Sequence, residues 1–128
     1  PQLEPIFLER LREGEHGVAY LLAYLKSKEA LPLLKENLLT DRYFYWWEGP
    51  DYSREESYLH DEQYPHHLAY IAAIEHISGA PIWDAMQLSV QERSALQAES
   101  RKASPEGQRF QHYCARWLLM KLERPHGR

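Results

Sequence analysis

The sequence predicts an all-α fold, and three observations carry this prediction. Apolar residues recur at the spacing of a helix face in several separate stretches. Three proline-led triplets have the form of helix starts: Pro5-Ile6-Phe7, Pro32-Leu33-Leu34 and Pro81-Ile82-Trp83. Proline suits the first helical position because its missing N–H would have no partner there. No stretch shows the apolar–polar alternation of a half-buried strand.

The composition limits the class of protein. A chain of 128 residues has a length typical of one domain, so we expect a single domain over 1–128. A net charge of −4 argues against a nucleic-acid partner, because phosphates are bound by clustered Lys and Arg. The single cysteine, Cys114, cannot form an internal disulfide, and no apolar run approaches the ~20 residues of a membrane span. We therefore expect a cytoplasmic protein without a membrane partner.

The first half of the chain predicts paired helices. The triplet at Pro5 begins one helix, and the next is predicted from the i, i+3, i+4, i+7 spacing of Val18, Leu21, Leu22 and Leu25. The residues that follow Pro5 match those that follow Pro32 at an offset of 27, with Glu9 against Glu36 and Leu11 against Leu38. Each such unit therefore reads as two helices joined by a tight turn.

A second similarity places a long insertion in the second unit. Ala19-Tyr20-Leu21 recurs as Ala69-Tyr70-Ile71 at an offset of 50, within a helix predicted from Leu68, Ile71, Ile74 and Ile77. Gly79 supplies the C-terminal stop of that helix. The offset of 50 is larger than the offset of 27, so the second unit is longer than the first by about twenty residues. The additional residues fall at about 42–64.

The C-terminal third predicts two further helices. Ser89-Val90-Gln91-Glu92 fits a capping box that opens a mostly polar helix reaching about Lys102. Ser104-Pro105-Glu106 is a second cap, before a helix whose apolar face has Phe110, Tyr113, Cys114, Trp117 and Leu118. On that face we expect Cys114 to be a buried thiol with a raised pKa and little reactivity, rather than a nucleophile.

The stretches GVAYLLAYLKSKEALPLLKENLL (17–39) and HHLAYIAAIEHISGAPI (66–82) resemble HEAT-type repeats of the short bacterial kind. In that family, a helix rich in Ala and Leu ends in a small turn and is followed by an Ala-Leu-Pro-Leu-Leu helix. The resemblance covers roughly Leu3 to Met86. It implies a short α-solenoid of stacked hairpins with a binding role and no fixed catalytic residues, so we expect no enzymatic activity and no cofactor. The insertion over 42–64 departs from the family pattern.

The insertion is the candidate binding surface. Eight of the sixteen aromatic residues lie between Tyr43 and Tyr64, together with six carboxylates against the single cation Arg54. Aromatic rings supply contact area, and carboxylates select a cationic group. We therefore expect a protein partner with exposed Lys or Arg. The predicted partner-binding residues are Tyr45, Trp46, Trp47, Glu48, Asp51 and Tyr52.

Other uses of the same segment stay open. Phe44 and one tryptophan could instead cover the core, and both roles can hold together. The rings could stack on a sugar, with Glu48 and Asp51 as the acid pair of a small ligand-binding protein or hydrolase. Exposed aromatic residues would also allow a homodimer through this loop.

A metal site is a further alternative, because His60, His66 and His67 lie close together in the sequence. His66 and His67 are adjacent, so on a helix their side chains diverge by about 100°. This divergence favours a half-buried His67 hydrogen-bonded to the insertion, with His60 and His66 reaching water. We therefore predict no metal at these residues.

Overall fold

The computed structural model describes residues 2–40, 61, 64–101 and 109–124, and every regular element in those ranges is helical. The all-α prediction is confirmed for this part of the chain. The aromatic run at 43–47 and the predicted cap at Ser104 lie outside it. The helices are α1 (Glu4–Arg12), α2 (Val18–Tyr24), α3 (Ala30–Thr40), α4 (Pro65–Ser78), α5 (Ile82–Ala85), α6 (Val90–Arg101) and α7 (Arg109–Leu122).

The helices divide between two compact units. Helices α1 to α5 belong to the first unit, and helices α6 and α7 belong to the second together with Asp61 and Tyr64. The prediction of a single domain over 1–128 stays a prediction.

In the first unit, α4 is the helix that packs against the largest number of other helices in the described ranges. It contacts α2, α3 and α5, while α1 contacts α2 and α3. A helix that is apolar around most of its circumference is stable only when other elements cover it on several sides. The sequence of α4 meets that description, because its buried residues are His67, Ala69, Tyr70, Ile71, Ala73, Ile74 and Ile77.

The buried face of α2 differs from the predicted one. Of the four residues on the predicted face, Val18 and Leu22 are buried, but Leu21 is 46% exposed. The other buried residues of α2 are Ala19 and Ala23. Helix α2 contacts both α1 and α4, so its covered arc is wide, and two alanines fill part of it. Leucine spacing alone therefore placed the centre of the buried face wrongly.

The proline triplets do lie at helix starts, as predicted. Pro5 occupies the first turn of α1, which begins one residue earlier. Pro32 is the third residue of α3, and Pro81 stands directly before α5 with a φ of −61°. All three prolines are at positions where a missing N–H costs the helix nothing.

Helix α1 ends in a Schellman motif. The N–H of Gly14, whose φ is 91°, donates to the carbonyl of Leu11 at 3.0 Å, and the N–H of Glu15 donates to that of Arg10 at 3.1 Å. Glycine is favoured at this position because it has no Cβ to clash in the left-handed region. The Leu11 carbonyl also accepts the Asn37 side-chain amide at 2.8 Å, which links the end of α1 to α3.

Helix α2 ends in the same motif with a lysine in the glycine position. Lys26 has a φ of 52°, and its N–H donates to the Ala23 carbonyl at 3.0 Å. The N–H of Ser27 donates to the Leu22 carbonyl at 3.0 Å. Ser27 is buried, and its hydroxyl donates to the Glu4 carboxylate at 2.9 Å, so this turn is tied to the start of α1.

In the second unit, α6 begins with the predicted capping box. The Ser89 hydroxyl accepts the Glu92 N–H at 3.0 Å, and the Glu92 carboxylate accepts the Ser89 N–H at 2.9 Å. Helix α6 contacts α7, where Arg116 Nε donates to the Ser100 carbonyl at 3.1 Å. The buried residues of the two helices include Leu96, Cys114, Ala115, Trp117, Leu118 and Leu122.

Replacing Lys26 with glycine should stabilise the protein. The left-handed conformation of Lys26 costs roughly 1–2 kcal/mol, and the extra chain entropy of glycine in the unfolded state offsets about half of it. We expect Lys26→Gly to raise the free energy of unfolding by about 0.5–1 kcal/mol, measured by urea denaturation. Lys26→Ala is the control: it removes the charge but keeps the Cβ, so an equal gain in both variants would contradict the conformational explanation.

Candidate functional site

All six predicted partner-binding residues lie outside the described part of the chain. These are Tyr45, Trp46, Trp47, Glu48, Asp51 and Tyr52, and Phe44 and His60 lie outside it as well. The structure does place the C-terminal end of the same segment, at Asp61 and Tyr64. Their contacts show what the segment is attached to.

Asp61 is held by two side chains of α7. Its Oδ1 accepts the indole N–H of Trp117 at 3.1 Å. The Lys121 ammonium lies 2.8 Å from Oδ1 and 3.1 Å from Oδ2. The same ammonium lies 5.7 Å from the Trp117 ring centroid, within the range of a cation–π contact. One carboxylate thus satisfies a buried indole donor and neutralises a half-buried cation.

Tyr64 extends this anchor into the core of the second unit. Its ring centroid is 4.8 Å from that of Trp117 with the planes tilted by 35°, and both residues are fully buried. Aromatic pairs at this spacing contribute beyond their buried area. Phe44 and a tryptophan of the segment, the residues predicted as alternative core cover, lie outside the described ranges. The anchoring roles of Tyr64, Asp61 and Lys121 were not predicted, although Trp117 and Lys121 stand at helical i, i+4 spacing.

In the part of the chain that the structure describes, His66 and His67 contact different rings. His67 is 1% exposed, with its ring edge-on to Tyr70 at a centroid distance of 6.3 Å. His66 instead stacks on His16, with ring centroids 3.7 Å apart and planes 29° from parallel. The prediction of a half-buried His67 is therefore wrong, because α4 is covered on the side where His67 lies. Within the described ranges, no three His, Cys, Asp or Glu residues are placed to hold a metal ion.

Cys114 is buried in α7, as predicted. Its neighbours along the same helix include Ala115, Trp117 and Leu118, which are also buried. Thiols become reactive in electropositive, partly exposed surroundings. The burial of Cys114 supports a packing role.

The outward face of α2 carries no charge. Tyr20 is 57% exposed and Tyr24 is 84% exposed, and the partly exposed Leu21 lies between them on the helix surface. With Gly17, the residue that precedes the helix, they follow i, i+3, i+4, i+7 spacing. Helix α2 therefore has an apolar face toward α1 and α4 and a second apolar stripe toward solvent.

An apolar groove lies at the start of α1. Gln2, Leu3, Phe7 and Leu25 line an open cavity of about 510 Å³. Leu3 and Ile6 of the same region are exposed. Leu25 follows Leu21 by four residues, so these two side chains are neighbours on the surface of α2. The groove at Leu25 therefore lies next to the exposed Leu21.

Comparison with protein-family models, with curated proteins and with solved structures finds no match for this chain. The HEAT-like repeat, the partner and the cytoplasmic location therefore stay predictions. Among the described residues, no helix combines the length and the apolar character needed to cross a membrane.

Two substitutions of Asp61 should separate the roles of its carboxylate. Asp61→Asn keeps an oxygen that can accept the Trp117 indole N–H and loses the ion pair with Lys121, which at this exposure contributes no more than about 1 kcal/mol. Asp61→Ala also leaves the indole donor without its acceptor, at a further cost of about 1–3 kcal/mol. Urea denaturation should therefore rank the proteins wild type, Asp61→Asn, Asp61→Ala. Equal destabilisation by the two substitutions would show that the indole hydrogen bond contributes nothing.

Proposed function

We propose that this protein is a non-catalytic interaction module of HEAT-like helical hairpins, and that it binds a protein partner through segment 43–64. The observation that carries the proposal is the attachment of this segment to the second unit at Asp61 and Tyr64. The partner is expected to present exposed Lys or Arg side chains. Its contacts are assigned to Tyr45, Trp46, Trp47, Glu48, Asp51 and Tyr52.

The packing of α1 to α4 supports the repeat part of the proposal. Helix α1 contacts α2, and α3 contacts α4, as the two helices of each hairpin must. Helix α1 also contacts α3, and α2 contacts α4, as the first and second helices of stacked hairpins must. Neighbour-to-neighbour packing of this kind is the basis of solenoid proteins.

The anchor at α7 supports the segment as a binding element. A loop that must be ordered on binding loses conformational entropy at that moment, which weakens affinity. Asp61 and Tyr64 are already fixed in the folded protein by Trp117 and Lys121. The C-terminal end of the segment is therefore fixed before any partner binds, and binding loses no entropy in fixing it.

The charge remaining on the segment supports a cationic partner. Lys121 neutralises Asp61, so this carboxylate is committed to the protein's own structure. The segment still contains Glu48, Asp51, Glu55, Glu56 and Glu62 against Arg54. Complementary charge across an interface raises the association rate and excludes partners of the same sign. Tryptophan and tyrosine beside these acids are the residue types that most often dominate binding energy.

The histidine geometry weighs against the metal-dependent alternative. Metal sites need ligand side chains that converge on one position. His67 is buried beside Tyr70, while His66 lies against His16. These two residues are therefore not arranged as a pair of ligands.

Removing the two tryptophans should abolish partner binding. The double variant Trp46→Ala/Trp47→Ala should lose recovery of a partner in a pull-down, because truncating central aromatic contacts costs at least about 2 kcal/mol each. The bound partner of the wild type should elute with a Lys/Arg-rich peptide and not with a Glu-rich one. Met120→Ala is the control, an exposed side chain of the second unit outside the segment. Unchanged recovery with the double variant, at unchanged helical circular dichroism, would refute the proposal.

Neutralising two acids of the segment should act mainly on the association rate. Glu48→Gln/Asp51→Asn removes charge with little change of shape, so the association rate should fall and depend less on ionic strength. Surface plasmon resonance with the recovered partner, between low and physiological salt, measures both effects. Glu9→Gln/Glu13→Gln in the first unit removes the same charge and should leave the salt dependence nearly unchanged. Equal effects of both pairs would indicate that net charge alone matters.

A further inference from the structure

We draw no further inference here: the strongest candidate, the open apolar groove at the start of α1 together with the exposed stripe of α2 beside it, carries none because nothing in the described part of the chain shows what covers it.

Discussion

The first unit depends on the burial of α4. This helix is apolar on most sides, so it is stable only while α2, α3 and α5 cover it. Its alanines and isoleucines leave little polar surface to satisfy, and even His67 is enclosed beside Tyr70. Helices α2, α3 and α5 each cover α4 with one side, and α1 packs on α2 and α3.

The second unit is organised around a polar contact inside an aromatic cluster. Trp117 is fully buried, yet its indole N–H reaches Asp61, and Tyr64 covers its ring. A buried indole donor without an acceptor would cost about 1–3 kcal/mol, so the position of Asp61 is constrained by α7. The candidate binding segment therefore ends at a point fixed by folding. The Asp61 carboxylate is used for attachment, so the proposed recognition of a cationic partner rests on the other five acids of the segment.

Local signals in the sequence were sufficient to predict where helices start and stop, but they were insufficient to predict which helix faces are buried. The proline triplets, the Ser89–Glu92 capping box and Gly79 act within one helical turn, so helix starts and stops could be predicted from neighbouring residues. The buried face of α2 depends on which helices pack against it, and leucine spacing does not contain that information. The contacts of Tyr64 and Asp61 with Trp117 join residues far apart in sequence, so no local pattern indicated them. The residues predicted to bind a partner lie outside the described ranges.

The stretch between α3 and α4 also affects how the first unit folds. A short loop joins α1 to α2 along the chain. The hydrogen bond from Ser27 to Glu4 ties the end of α2 to the start of α1. Helix α4 must instead find α2 and α3 across all the residues from Thr40 to Pro65. The entropy of closing a loop grows only with the logarithm of its length, about 0.6 kcal/mol per doubling. Long-range closure slows folding more than it lowers equilibrium stability, so the added segment is expected to change the folding rate more than the final free energy.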